Sequence, residues 1–224
     1  MDLLHAALME SGYGAITAFH TLPILTVIAL LLSVRKVSVG IWFAAGYVLG
    51  LALVFGLAMF GVKQFFSLRG FDPSWYLDIA AGLVLIVSAI AWWCWRRKRP
   101  TARTHRLASL LSTLQRMGPL GAALIGLQFA FHPDCLLLVV AAAGHTAQLS
   151  TLAKAGLALW FALLGSSTVI GVTLFYARAG VRAHTRLRIL RIWIRNNAAR
   201  IGFYLVLSIG AALIALGSWQ LARR

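Results

Sequence analysis

Two histidines stand next to helix-breaking prolines in otherwise apolar surroundings. The first lies in Ala18-Phe19-His20-Thr21-Leu22-Pro23, and the motif returns half a chain later as Ala130-Phe131-His132-Pro133-Asp134. An imidazole takes up or releases a proton near neutrality, and a carboxylate beside it can hold or relay that proton. Ionisable groups within a membrane span are costly to insert, so they face the bundle interior or a wet cavity. Pro23 and Pro133 remove backbone donors and leave carbonyls open to a neighbouring helix, water or substrate. His20, Thr21, Pro23, His132, Pro133 and Asp134 therefore form the expected substrate-binding or proton-coupling set.

The same residues suit two other chemistries. His20, His132 and Asp134 are a donor set for a borderline metal cation, which would make the chain a metal-ion exporter. His20 or His132 as general base, oriented by Asp134, would suit an intramembrane lipid-modifying enzyme, although no nucleophile motif accompanies them. The purely structural alternative is a pair of neutral histidines bonded between helices. Asp134 is the one acid expected inside a span, with Asp2, Glu10, Asp72 and Asp78 assigned to termini, loops or span edges. His145 is expected to be a polar residue at the outer end of span four, and no cofactor-binding motif is present.

Helices must position these groups, and composition supplies the setting. Apolar residues make up 61% of the 224-residue chain and charged residues 12%, the balance of an integral membrane protein. Crossing a bilayer core takes roughly 20 residues. Six stretches are long enough: 12 to 33, 39 to 61, 75 to 95, 118 to 143, 151 to 176 and 199 to 221. Trp75, Trp92, Trp93, Trp95, Trp193 and Trp219 fall near their ends, where indoles anchor at the interface.

The net charge of +16 is sorted by loop, which points to topology and away from nucleic acid. Arg35 and Lys36 follow span one; Arg96, Arg97, Lys98, Arg99, Arg103, Arg106 and Arg116 follow span three. Arg178, Arg182, Arg186, Arg188, Arg191, Arg195 and Arg200 separate spans five and six. Against these 16 stand Lys63, Arg69, Lys154, Arg223 and Arg224, so both termini are expected outside the cytoplasm. Residues 1 to 11 lack the basic start of a cleavable signal, so span one is expected to be retained. Cys94 and Cys135 give neither a disulfide framework nor a metal pair.

Three spans, a connector and three spans predict an all-α fold of two inverted three-helix repeats, 1–95 and 118–224, around a basic cytoplasmic linker at 96–117. Spans one and four are the broken helices. Before the last span, residues 180–199 alternate Leu187, Leu190, Trp193 and Ile194 with Arg186, Arg188, Arg191 and Arg195. This predicts a separate interfacial helix whose arginines contact lipid headgroups. Gly46 and Gly50 form a GxxxG face in span two for close intramolecular packing. Gly165, Ser166, Ser167 and Thr168 in span five are packing or cavity-lining groups.

The order of features resembles the Sap/GAP family, the sulfolipid-addressing and glycopeptidolipid-addressing proteins of the LysE transporter superfamily. The resemblance is carried by Leu22-Pro23-Ile24, Leu30-Leu31-Leu32-Ser33-Val34-Arg35, Gly40 and Gly46-Tyr47-Val48-Leu49-Gly50 in the first half. Pro133 with Leu136-Leu137-Leu138, Leu190-Arg191-Ile192-Trp193-Ile194-Arg195-Asn196-Asn197, and Ile209-Gly210-Ala211-Ala212-Leu213-Ile214 with Gly217 carry it in the second. It implies a six-span inverted-repeat transporter of the bacterial cytoplasmic membrane that exports or flips a lipid, glycolipid or other amphiphile. Its partners would be membrane lipids and a lipid-linked substrate, with a homodimer as one possible assembly. Where that family has a Ser-Pro-x-Pro turn and Asn-Pro-Lys-Asn, this chain reads His20-Thr21-Leu22-Pro23 and His132-Pro133-Asp134-Cys135. Topology is directly testable: in intact cells an impermeant thiol reagent should fail to label Arg97→Cys or Arg188→Cys, and labelling of either from outside would reverse the orientation.

Overall fold

The computed structural model describes residues 3–34, 36–67, 74–98, 118–144, 146 and 149–222, and no strand occurs among them. They form α1 (Leu3–Ala18), α2 (Thr21–Val34), α3 (Val37–Ser67), α4 (Ser74–Lys98), α5 (Gly118–Ala130), α6 (Pro133–Gly144), α7 (Thr151–Gly165), α8 (Ser167–Ala179) and α9 (Val181–Ala222). The linker at 99–117, the residues around Asp72 and His145 lie outside the described residues, as do the side chains of Asp134 and Arg195.

Several of these helices carry large apolar side chains on their exposed faces as well as their buried ones. On α3, Val39, Phe43, Tyr47, Leu51, Val54 and Phe55 are buried, yet Ile41, Trp42, Leu49, Leu53 and Leu57 cover the opposite, exposed face. A helix that is apolar all round belongs in hydrocarbon. Val37–Met59 is, among the described residues, the one helix long and apolar enough to cross a membrane alone. Two bent pairs meet the same criterion: Ala6–Ala18 with Thr21–Val34, at 51°, and Thr151–Gly165 with Ser167–Ala179, at 54°. Ile79–Ala91, α5 and Val206–Trp219 are shorter apolar helices.

Each break has a local cause. Pro23 and Pro133 both fall in the first turn of a new helix, α2 and α6, where the amide would have no intrahelical acceptor anyway. The break between α7 and α8 has no proline. There Ser166 is fully buried and its hydroxyl donates to the Ala162 carbonyl at 2.6 Å, in competition with the backbone ladder. Such back-bonding bends helices. A third broken helix was not expected from the apolar run 151 to 176.

Two other expectations change. The first helix begins at Leu3, well before residue 12, and carries Glu10 into the bundle with no exposed surface. The expected separate helix at 180–199 does not exist as an element: α9 runs unbroken from Val181 to Ala222 through the last span. Nothing between Gly180 and Gly202 breaks it, because Asn197, the polar residue best able to terminate a helix, turns its side-chain amide back to the Trp193 carbonyl at 3.0 Å.

Glycines set the helix crossings. A Cβ on Gly46 would lie 2.0 Å from the Ala123 carbonyl oxygen, and one on Gly126 would lie 2.2 Å from that of Phe43, so α3 and α5 touch backbone to backbone. Gly82 and Gly210 do the same for α4 and α9, each meeting the other's carbonyl. The GxxxG face of span two thus serves intramolecular packing. Between these crossings, Phe55 of α3 stacks on Phe161 of α7 at 4.8 Å. Gly46→Ala should destabilise by about 3 kcal/mol, as overpacking against a backbone cannot be relieved by a rotamer change. Gly56→Ala, on the same helix with open space at its Cβ, should instead gain about 0.5 kcal/mol from helix propensity. Thermal unfolding in detergent reads both, and equal shifts would refute the crossing.

Candidate functional site

Both copies of the motif are built alike. At the first, the Phe19 amide donates to Ile16 and the His20 amide to Thr17, both with i to i−3 spacing. At the second, Phe131 donates to Gln128 and His132 to Phe129, with the same spacing. Each helix therefore tightens for one turn before it ends. The side chains are sorted alike too: Ala18 and Ala130 are buried, Phe19 and Phe131 are exposed, and His20 and His132 are half-buried.

The two breaks meet. The imidazoles of His20 and His132 lie with ring centroids 5.2 Å apart and planes inclined at 54°. Thr21 follows His20 as the first residue of α2 and is half-buried, Pro23 is buried, and Pro133 is exposed. Asp134 is the second residue of α6, next but one to His132. Among the described residues no three His, Cys, Asp or Glu side chains converge as metal ligands.

The third break joins the first. Ala18 is the last residue of α1, so its carbonyl has no amide of its own helix to accept, and Thr168 at the start of α8 donates its hydroxyl to it. Thr17 and Gly165 pack against each other, and Trp160 donates its indole N–H to Ser11 at 3.0 Å. α1 and α7 thus run side by side in the same direction up to their breaks. Cys135, buried one turn into α6, faces the buried Tyr47 of α3.

Of the arginines expected to meet headgroups, Arg186 and Arg188 are exposed and Arg191 is half-buried on α9. Further along α9, Trp193, Asn197, Arg200, Tyr204, Ser208 and Ala211 line a shallow open groove of about 700 Å³. Arg200 was read only as a topology charge, and its alignment with Tyr204 emerges once α9 is one helix. Glu10, assigned to a terminus, is the other residue the sequence reading missed. Its signal was the spacing Ala6, Glu10, Tyr13, Thr17, which places a carboxyl on the buried stripe of α1.

A family model described as Sap, sulfolipid-1-addressing protein, matches residues 11–218, in agreement with the resemblance carried by the motifs. No curated protein and no solved structure matches the chain. The histidine contact can be checked covalently. In a Cys94→Ser, Cys135→Ala background, His20→Cys with His132→Cys should be bridged by a short bis-maleimide, whereas Phe19→Cys with Phe131→Cys, on outward-facing positions, should not.

Proposed function

The chain belongs to the Sap, sulfolipid-1-addressing protein, family, and on that premise we propose that it moves an amphiphilic, lipid-linked substrate across the bacterial cytoplasmic membrane. One observation carries the reading: two like-built helix breaks bring His20 and His132 together at 5.2 Å. Broken helices that meet between repeats are where transporters hold substrate and coupling ions.

The pairing of elements supports six spans in two inverted halves: α1–α2, α3 and α4, then α5–α6, α7–α8 and α9. Under that correspondence His20 meets its counterpart His132, Phe55 of the second span meets Phe161 of the fifth, and Gly82 of the third meets Gly210 of the sixth. The crossing of α3 on α5 has its counterpart in α7 on α1, where a Cβ on Gly14 would touch Leu164 at 3.0 Å. A two-fold axis in the membrane plane relates such contacts.

In this reading Arg186, Arg188, Arg191 and Arg195 gather anionic headgroups at the cytoplasmic face. The histidine pair, with Thr21 and Asp134, gives the headgroup a polar station midway, while the acyl part stays against the apolar outer faces of the helices. A point charge or hydrogen-bonding group is needed only there, because moving a polar headgroup through hydrocarbon unaided is the costly step. No bond in the lipid need be made or broken.

The test is reconstitution. In proteoliposomes containing an anionic lipid with a labelled headgroup, the protein should accelerate its movement between leaflets without altering it chemically. His20→Ala and His132→Ala should each lower the rate at least about tenfold, the loss of one polar contact worth about 1.4 kcal/mol at the barrier, while inserting and folding normally. Unimpaired movement in both variants would reduce the pair to helix packing. A chemically altered lipid would favour the enzyme, and stoichiometric zinc lost in His132→Ala would favour the metal exporter.

A further inference from the structure

Glu10 has no exposed surface, and neither of its carboxyl oxygens meets a hydrogen-bond donor among the described residues. It is not an isolated accident of packing. Ala6, Glu10, Tyr13 and Thr17 form one fully buried stripe along α1, spaced four, three and four residues apart. The stripe ends at the break where His20 meets His132, about 15 Å from Glu10 along the helix axis.

The charged and titratable groups of every element packed against α1 are few. On α7 it is Lys154. The pairing of Ser11 with Trp160 and of Gly14 with Leu164 places Lys154 more than a turn outward of Glu10. On α6 they are Asp134 and Cys135, near the histidine pair, and on α8 Tyr176 and Arg178, beyond the break at Ser166. On α1 itself Tyr13 follows Glu10 on the buried stripe, His20 stands just past the helix end at the break, and His5 lies more than a turn outward; the side chain of His5, and His145 just past the end of α6, lie outside the described residues. No cation is therefore level with Glu10 in the described bundle.

An ionised carboxylate without partners is among the most costly groups to bury, whereas the neutral acid costs about as much as any unpaired hydroxyl. The packing around Glu10 thus tolerates the acid and opposes the anion. We infer that Glu10 is a proton-binding site: it holds a proton in this closed arrangement of α1 against α7 and releases it when the two helices part. Opening lets water reach the carboxyl, and ionisation then holds the helices apart. The open form binds fewer protons, so the closed form is favoured at low pH and lost as pH rises. For the transporter reading, on which this point alone rests, Glu10 is the group through which a proton gradient acts on the lipid path.

Thr17 reports the opening, because it is buried on the same stripe and faces Gly165 of α7. Thr17→Cys in a Cys94→Ser, Cys135→Ala background, purified in detergent, would be labelled with a maleimide over a pH series, its rate corrected for the thiolate fraction of an exposed control cysteine. The corrected rate should rise with pH by about tenfold for each unit by which opening changes the proton affinity. Adding Glu10→Gln should make it flat, and Glu10→Asp should keep the rise. Should the glutamine variant not fold, Glu10→Leu fills the same space without a polar group and must also be flat. Replacing potassium by sodium at fixed pH should change nothing. A flat parent profile, a rise that survives Glu10→Gln or Glu10→Leu, or a sodium-dependent rate would overturn the proposal. None of these readouts depends on lipid movement, so failure of the transport assay leaves this result intact.

Discussion

A helix interrupted inside hydrocarbon must find partners for its freed backbone groups within the protein, because no solvent is there to supply them. The organisation of this bundle follows from that constraint. The end carbonyl of α1 accepts from Thr168 of the third broken helix, and at that third break the Ala162 carbonyl accepts both the amide and the hydroxyl of Ser166. Breaks that need each other's donors cannot lie far apart, so the interruptions of α1–α2 and α7–α8 are drawn to one level. At the second break the imidazole of His132 lies against that of His20.

Close approach of backbones is the second half of the same arrangement. Helices in lipid gain little from hydrophobic association and rely on contact area and small residues. Gly46 and Gly126 bring α3 onto α5, and Gly82 and Gly210 bring α4 onto α9. The large side chains are then free to fill the centre, as Phe55 and Phe161 do, or to coat the outside, as Trp42 and Leu57 do. The polar groups that remain inside, Glu10, Thr17, Ser166 and Thr173 among them, are held on that scaffold.

Much of this was legible beforehand, and the misses have physical reasons. The His20 and His132 breaks were visible because proline is an unambiguous interruption and the flanking residues repeat. The Ser166 break was not, because serine in a helix signals nothing until its hydroxyl is seen to take a backbone carbonyl. Glu10 was misread because a carboxylate near the start of a chain is ordinarily solvated, and hydropathy windows penalise it. The basic run 180–199 was read as separate from the span because its surface differs. Hydrogen bonding, not polarity, decides where a helix ends. The arginines change what the helix touches and leave its ladder intact.

That continuity makes α9 a mechanical part. Forty-two residues at 1.5 Å each give a rod of about 60 Å, twice the thickness of the hydrocarbon layer. A good part of it must project beyond that layer, stiffly joined to what lies inside. Gly210, clasped by Gly82, is a natural fulcrum some three-quarters of the way along. Rocking the rod by about 10° there would carry its Val181 end through about 8 Å. A displacement of the arginine-bearing arm is therefore felt, reduced but rigidly transmitted, at the opposite end of the rod.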